Sequence, residues 1–186
     1  WTDGLNPPRF LNLSSIPVLD ADNLSNLNLF PTYDSQPLFT LNDVINGGGG
    51  LYSGVYYVGF SYADQDEIES AVQIISNKIS IYDSAIDDYS SGSISGQRTS
   101  KSFNCTLSNL DTTYSHYYVY LMRRENGQYI DVRRLTKKPL SASVTFTITG
   151  IESYTESTIE DVLINKAAYA TAKALTKVED SLYLAN

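Results

Sequence analysis

The chain has 186 residues, a single cysteine, a formal net charge of −8 and 42% hydrophobic residues. That is enough for one domain plus an extension, and it excludes a framework of intramolecular disulfides. The acidic balance argues against a general nucleic-acid binder, which needs clustered Lys and Arg, and no apolar run approaches the length of a membrane span.

Residues 1–46 are rich in Asn, Pro, Asp and Leu and show no sustained period. Asp3-Gly4 predicts a turn, Pro7 and Pro8 hold the chain extended, and residues 10–13 suggest a short strand. Leu24, Leu27 and Leu29 are spaced to dock on a neighbour. A stretch this long and irregular reads as an arm packed on another part of the protein or on another subunit. The start at Trp1, with neither Met nor an apolar leader, reads as a fragment or processed product. Gly47 to Gly50 is expected to be a flexible hinge.

The stretch 51–62, LYSGVYYVGFSY, is the centre of the chain. Tyr52, Gly54, Tyr56, Val58, Phe60 and Tyr62 fall on one face of an extended strand, and the aromatic, β-branched and glycine mixture suits no helix. An acidic turn follows at 64–67. Ile74, Ile79 and Ile81 then predict one or two short strands broken near Asn77. Residues 83–100 are Ser/Gly-rich and read as a mobile surface loop. In 101–108 Phe103, Cys105 and Leu107 alternate inward. Residues 117–123 and 128–135 form the clearest hairpin, closed by Glu125-Asn126-Gly127, with Val119 and Leu121 expected to meet Ile130 and Val132 across the pair. Residues 142–149 alternate again and end at Gly150.

Ser157-Thr-Ile-Glu160 has the form of a capping box, so a helix is expected from there to about Lys177, followed by a final strand at 181–184 that implies a sheet continuing beyond this segment. The predicted division is an arm and hinge (1–50), a β-sandwich (51–156), a packed helix (157–178) and the start of a returning strand (179–186). The fold class is mainly β: an immunoglobulin- or fibronectin-III-like antiparallel sandwich with one C-terminal α-helix.

Chemistry is sparsely supplied. His116 is the only histidine and has no motif that provides a nucleophile and an orienting carboxylate; it reads as a turn-edge residue, and Cys105 as a small core residue. No catalytic residue and no cofactor site is therefore assigned. Asp64, Asp66, Glu67 and Glu69 could offer hard oxygens to calcium, of which Asp64, Asp66 and Glu67 are the weak candidate set, but the later ligands of an EF-hand are missing. Asn12, Asn23 and Asn104 begin N-x-S/T triplets, which carry little weight. Arg123-Arg124 and Arg133-Arg134 lie on facing strands, one of each pair on each face, and in an acidic chain are better suited to meeting an acidic subunit than phosphates. The candidate interface residues are thus Trp1, Phe10, Leu24, Leu27, Arg123, Arg124, Arg133 and Arg134. A carbohydrate-binding or adhesive module is the alternative, with Tyr118, Tyr120 and Tyr129 as an exposed platform.

Several short motifs in order along nearly the whole chain carry a resemblance. They are WTDGLNPPR at 1–9, GVYYVGFSY at 54–62 with its acidic turn, KSF at 101–103 leading into SNLDT at 108–112, TGIE at 149–152, Ala172-Lys173, and DSLYLAN at 180–186. The chain resembles the tail stabilisation proteins, of tail hub or nozzle ("muzzle") type, of short-tailed crAss-like bacteriophages. The resemblance implies a structural virion component and a longer parent protein. Its copies would form a homo-oligomeric ring around the channel through which the genome leaves, touching other tail or portal proteins and assembling in the cytoplasm of the bacterial host. DNA would pass nearby without tight binding. Residues 1–9 and 182–186 would belong to a β-propeller-like region into which the sandwich is inserted. Glu67 stands where the pattern has Gly, which counts against a tight calcium-type turn. No catalytic residue carries over.

Overall fold

The computed structural model describes residues 2–5, 8–11, 13, 27–28, 35–64, 69–83, 93–94, 96–163, 174–178 and 181–185. The chain forms two compact units, Ser35–Asn165 and a second built from Trp1–Asp34 with Lys166–Asn186, so the first interrupts the second in sequence.

The larger unit is antiparallel β. In chain order it holds β1 (Leu38–Ile45), β2 (Gly54–Ala63), β3 (Ile74–Ile75), β4 (Ile79–Ile81), β5 (Ser102–Ser108), β6 (His116–Glu125), β7 (Gln128–Leu135), β8 (Lys138–Pro139), β9 (Val144–Ile148), β10 (Tyr154–Glu156) and a helix, α1 (Ile159–Leu163). A three-stranded sheet runs β1-β5-β9. The larger sheet runs β10-β7-β6-β2-β3, with β4 also paired to β2 and β8 to β6.

Alternation along β2 decides the core, as its sequence predicts. Tyr56, Val58, Phe60 and Tyr62 are buried on one face, joined by Tyr117, Val119 and Leu121 of β6. The small sheet contributes Phe103, Cys105, Leu107, Phe146 and Ile148. The two sets meet where the rings of Tyr56 and Phe103 lie 6.2 Å apart. Phe60 and Tyr62 pack edge to face at 4.9 Å, a preferred aromatic geometry.

The opposite face of β2 is buried as well. Ala63, Tyr118, Tyr120, Met122 and Val162 of α1 form a second cluster, with Tyr57, Val72, Val132 and Ile159 against it. Here Gly59 favours close approach, because an added Cβ would stand a tight 3.2 Å from Cβ of Tyr120. Two serines replace ladder donors and acceptors where β3 is too short to pair. The backbone N–H of Val58 donates to Ser76 Oγ (2.9 Å) and that of Tyr62 to Ser70 Oγ (3.0 Å).

Several expectations need correction. Residues 38–45 are not part of an irregular arm but form β1, and a bulge at Asn42 shifts the register between Leu41 and Asp43, which hides the alternation. The glycine run is not a free hinge. Gly49 donates to the Ser100 carbonyl and Gly50 to the Thr149 carbonyl (3.1 and 2.7 Å), and a Cβ on Gly49 would fall 2.1 Å from the Lys101 carbonyl oxygen. The end of the supposed mobile loop is also fixed, since Thr99 is buried and bonded through its backbone and hydroxyl to the Leu51 carbonyl; residues 84–92 and 95 lie outside the described residues.

The helix does not run from Ser157 to Lys177. It is described over Ile159–Leu163, while Ala174–Val178 is a strand, β11, paired with β12 (Ser181–Ala185). Its cap lies one residue later than expected. Thr158 Oγ1 accepts from the Asp161 N–H (3.2 Å), and Asp161 Oδ2 accepts from the Thr158 N–H (3.0 Å), a reciprocal box that Glu160 is not positioned to make. Finally, Val132 stands opposite Met122, and Ile130 is the extra residue of a bulge between Arg123 and Arg124, so neither meets Val119 or Leu121.

In the second unit, Asp3 turns the chain by accepting from the Leu5 N–H (2.9 Å). Arg9 bridges Asn28, and the Phe10 N–H donates to the Leu27 carbonyl (2.8 Å). Among the described residues this is a single bridge rather than the strand expected at 10–13; Asn12 lies outside them.

Candidate interaction surface on the central hairpin

The hairpin of β6 and β7 gathers most of the polar side chains that could act. Its two-residue turn needs left-handed backbone at both positions, which Asn126 (φ 48°) and Gly127 (φ 81°) supply. Alternation then sorts the arginines by face. On one face Arg123 lies over the Tyr52 ring (5.1 Å) and 3.6 Å from Glu125, and its Nη1 donates to the Ser53 carbonyl. Arg133 pairs with Asp131 at 2.7 Å and lies 4.3 Å from the Tyr154 ring centre.

On the other face Arg134 stacks on Tyr118 (4.6 Å) and pairs with Glu69 at 3.0 Å. Glu69 also accepts from Ser61 Oγ (2.5 Å) and Tyr120 Oη (2.6 Å). One carboxylate thus satisfies two buried hydroxyls and a guanidinium, and the backbone of Glu69 bridges that of Ala63 at the end of β2. Burial and the adjoining Glu69 carboxylate both raise the Tyr120 pKa, keeping the hydroxyl a donor. Arg124 is the exposed member: its Nε donates to the Gly127 carbonyl (2.9 Å), and it lies 5.6 Å from the Tyr129 ring centre.

Comparison with known proteins settles the family. A family model described as Crassvirus muzzle protein matches residues 1–186. The chain belongs to the Crassvirus muzzle protein family. It is accordingly a viral structural protein of the phage tail, associated with the virion. None of the curated proteins compared matches it.

In this muzzle-family chain the residues singled out in the sequence fall into several groups. Arg123, Arg124, Arg133 and Arg134 are brought together, one of each pair on each face, but three of them are matched by carboxylates of the chain itself. Leu27 is already covered within the chain at 4% exposure, whereas Phe10 stays 46% exposed. Trp1 and Leu24 lie outside the described residues, as do Asp66 and Glu67 of the calcium candidate set; Asp64 directly follows β2. Tyr118 and Tyr120 are buried, which leaves Tyr129 alone of the expected sugar platform.

His116 Nδ1 is 2.8 Å from Ser115 Oγ, and among the described residues no carboxylate bonds the ring. Asn104 of the third triplet donates to Thr147 Oγ1 (2.9 Å) and accepts from Asn42 (2.6 Å). Sequence reasoning missed the central role of Glu69, which looked like one acid among several in a turn. Its one local signal is position, since an acid a few residues after a strand end can fold back onto that strand.

Proposed function

We propose that the chain works without catalysis, as part of a closed ring of identical subunits around the genome-ejection channel. Subunit contacts are its working parts, other tail or portal proteins are its neighbours, and it assembles in the host cytoplasm. DNA passes the ring without being held, in keeping with the net charge of −8. The family match over residues 1–186 is the observation that carries this reading.

Two features of the molecule support it. Two antiparallel layers with interleaved aromatic faces suit an immunoglobulin- or fibronectin-III-like sandwich, a stiff spacer rather than a cleft for substrate. A unit made from both ends of the chain, interrupted by residues 35–165, suits insertion of that spacer into a larger β-propeller-like body. The adhesive alternative loses its main support with the burial of Tyr118 and Tyr120. Light scattering on the full-length protein tests the proposal: a discrete mass of many copies is expected, and a stable monomer at all concentrations would overturn it.

A further inference from the structure

At the turn end of the hairpin, an open cleft of about 490 Å3 is lined by Gly54, Val55, Tyr57, Lys78, Arg124 and the turn residues 125–127. We infer that this cleft receives an acidic segment of a second copy of the chain. The inference rests on the ring reading and adds to it the surface through which one subunit grips the next.

The floor is apolar. Tyr57 packs its ring 6.1 Å from that of Tyr129, and Val55 lies beside it on the same strand face. α1 and Val72 cover the far part of this sheet face, whereas the end at Val55 and Tyr57 opens into the cleft. Two cations flank the floor. Arg124 has its Nε bonded to the Gly127 carbonyl and its Cζ 5.6 Å from the Tyr129 ring centre, and its terminal nitrogens are the donors left for a carboxylate. Lys78 stands on the side of β4, and among the described residues neither it nor Arg124 is paired with a carboxylate. Glu125, the one acid in the lining, already faces Arg123 at 3.6 Å.

Charge selects the occupant. Each copy has 21 acidic and 13 basic residues, so two copies repel except where an uncompensated cation meets an acid. Among the four hairpin arginines Arg123, Arg133 and Arg134 are compensated internally, which leaves Arg124, and the cleft sets Lys78 beside it as a cationic half-site. The acidic surplus of a neighbour supplies the other half. A cleft on one side and an acid on another make a head-to-tail contact, the type that closes into rings.

Sedimentation equilibrium of the full-length protein tests this, comparing wild type with Lys78→Glu/Arg124→Glu and with the milder Lys78→Ala. Circular dichroism on each variant confirms folding. The expected result is a dissociation constant raised about ten- to a hundredfold in the double variant. Wild-type association should weaken as salt rises from about 50 to 500 mM, and the double variant should lose most of that dependence. A wild type that assembles while the folded variants assemble equally well, with the same salt dependence, overturns the cleft inference and leaves the ring reading standing. A wild type that never assembles overturns both. Assembly that requires added polyphosphate or a different tail protein overturns the choice of a second copy as occupant.

Discussion

At Glu69 one carboxylate holds Ser61, Tyr120 and Arg134 at 2.5, 2.6 and 3.0 Å. Its removal leaves two hydroxyls without their acceptor beside a guanidinium without its counter-charge. Glu69→Ala should therefore cost about 2–4 kcal/mol in urea denaturation, and Glu69→Gln clearly less because it keeps an acceptor. An unchanged midpoint in both would mean that the cluster is incidental.

The buried tyrosines set a second expectation. Burial pushes the Tyr56 hydroxyl up to about 12 from an ordinary 10.0, against a partial opposing effect of Arg123, and burial raises Tyr117 as well. The folded chain thus keeps protons that the unfolded chain releases. Their stabilisation is complete below pH 10.0 and is lost as pH rises toward about 12. Stability measured against pH should be flat on this account up to about pH 10 and then fall, with a shallower fall in Tyr56→Phe. Full tyrosinate absorbance in a chain that keeps its folded circular dichroism would contradict this.

At the scale of elements, caps and corners decide where the chain turns. Asp161 has its carboxyl held below the usual range by bonds from the Thr158 N–H and hydroxyl, so the start of α1 is strongest above the carboxylate range and weakens as pH falls. Thr158→Ala should cost about 1 kcal/mol in thermal or urea unfolding, and Ser157→Ala less than about half of that, because only Thr158 bonds the Asp161 N–H. The glycine corner gives a sharper contrast. Gly49→Ala drives Cβ into the Lys101 carbonyl and should cost about 3 kcal/mol or more, whereas Gly48, at φ 70° with open space, should accept Asn within about 1 kcal/mol. Equal effects at the two positions would restore the hinge.

These elements also show what sequence could and could not reveal. β5 and β9 were legible because one buried face imposes period two on each, and β2 and β6 because aromatic and β-branched residues buried on both faces suit a strand and no helix, with the Asn126-Gly127 turn then giving β7. β1 was not, since one extra residue at Asn42 puts Phe39 and Val44 out of phase. The helix was overextended because Ala-rich sequence has high local helix propensity, while pairing of Ala174–Val178 with Ser181–Ala185 is a tertiary contact that overrides it. The arginine faces followed from alternation alone. Their partners did not, because the pairing of Arg134 with Glu69 requires that β7, β6 and β2 lie side by side.

For the whole molecule, residues 35–165 form one unit while the flanking segments form another, and the family match spans both. We propose from these facts that the larger unit is a stiff spacer, held by its neighbours through surfaces such as the cleft at Lys78 and Arg124. Averaged images of intact particles test that claim most directly. It predicts a closed ring of copies coaxial with the tail channel, with a neighbour's density seated against Tyr57, Lys78 and Arg124. Isolated copies away from the channel axis, with no contact between them, would contradict it.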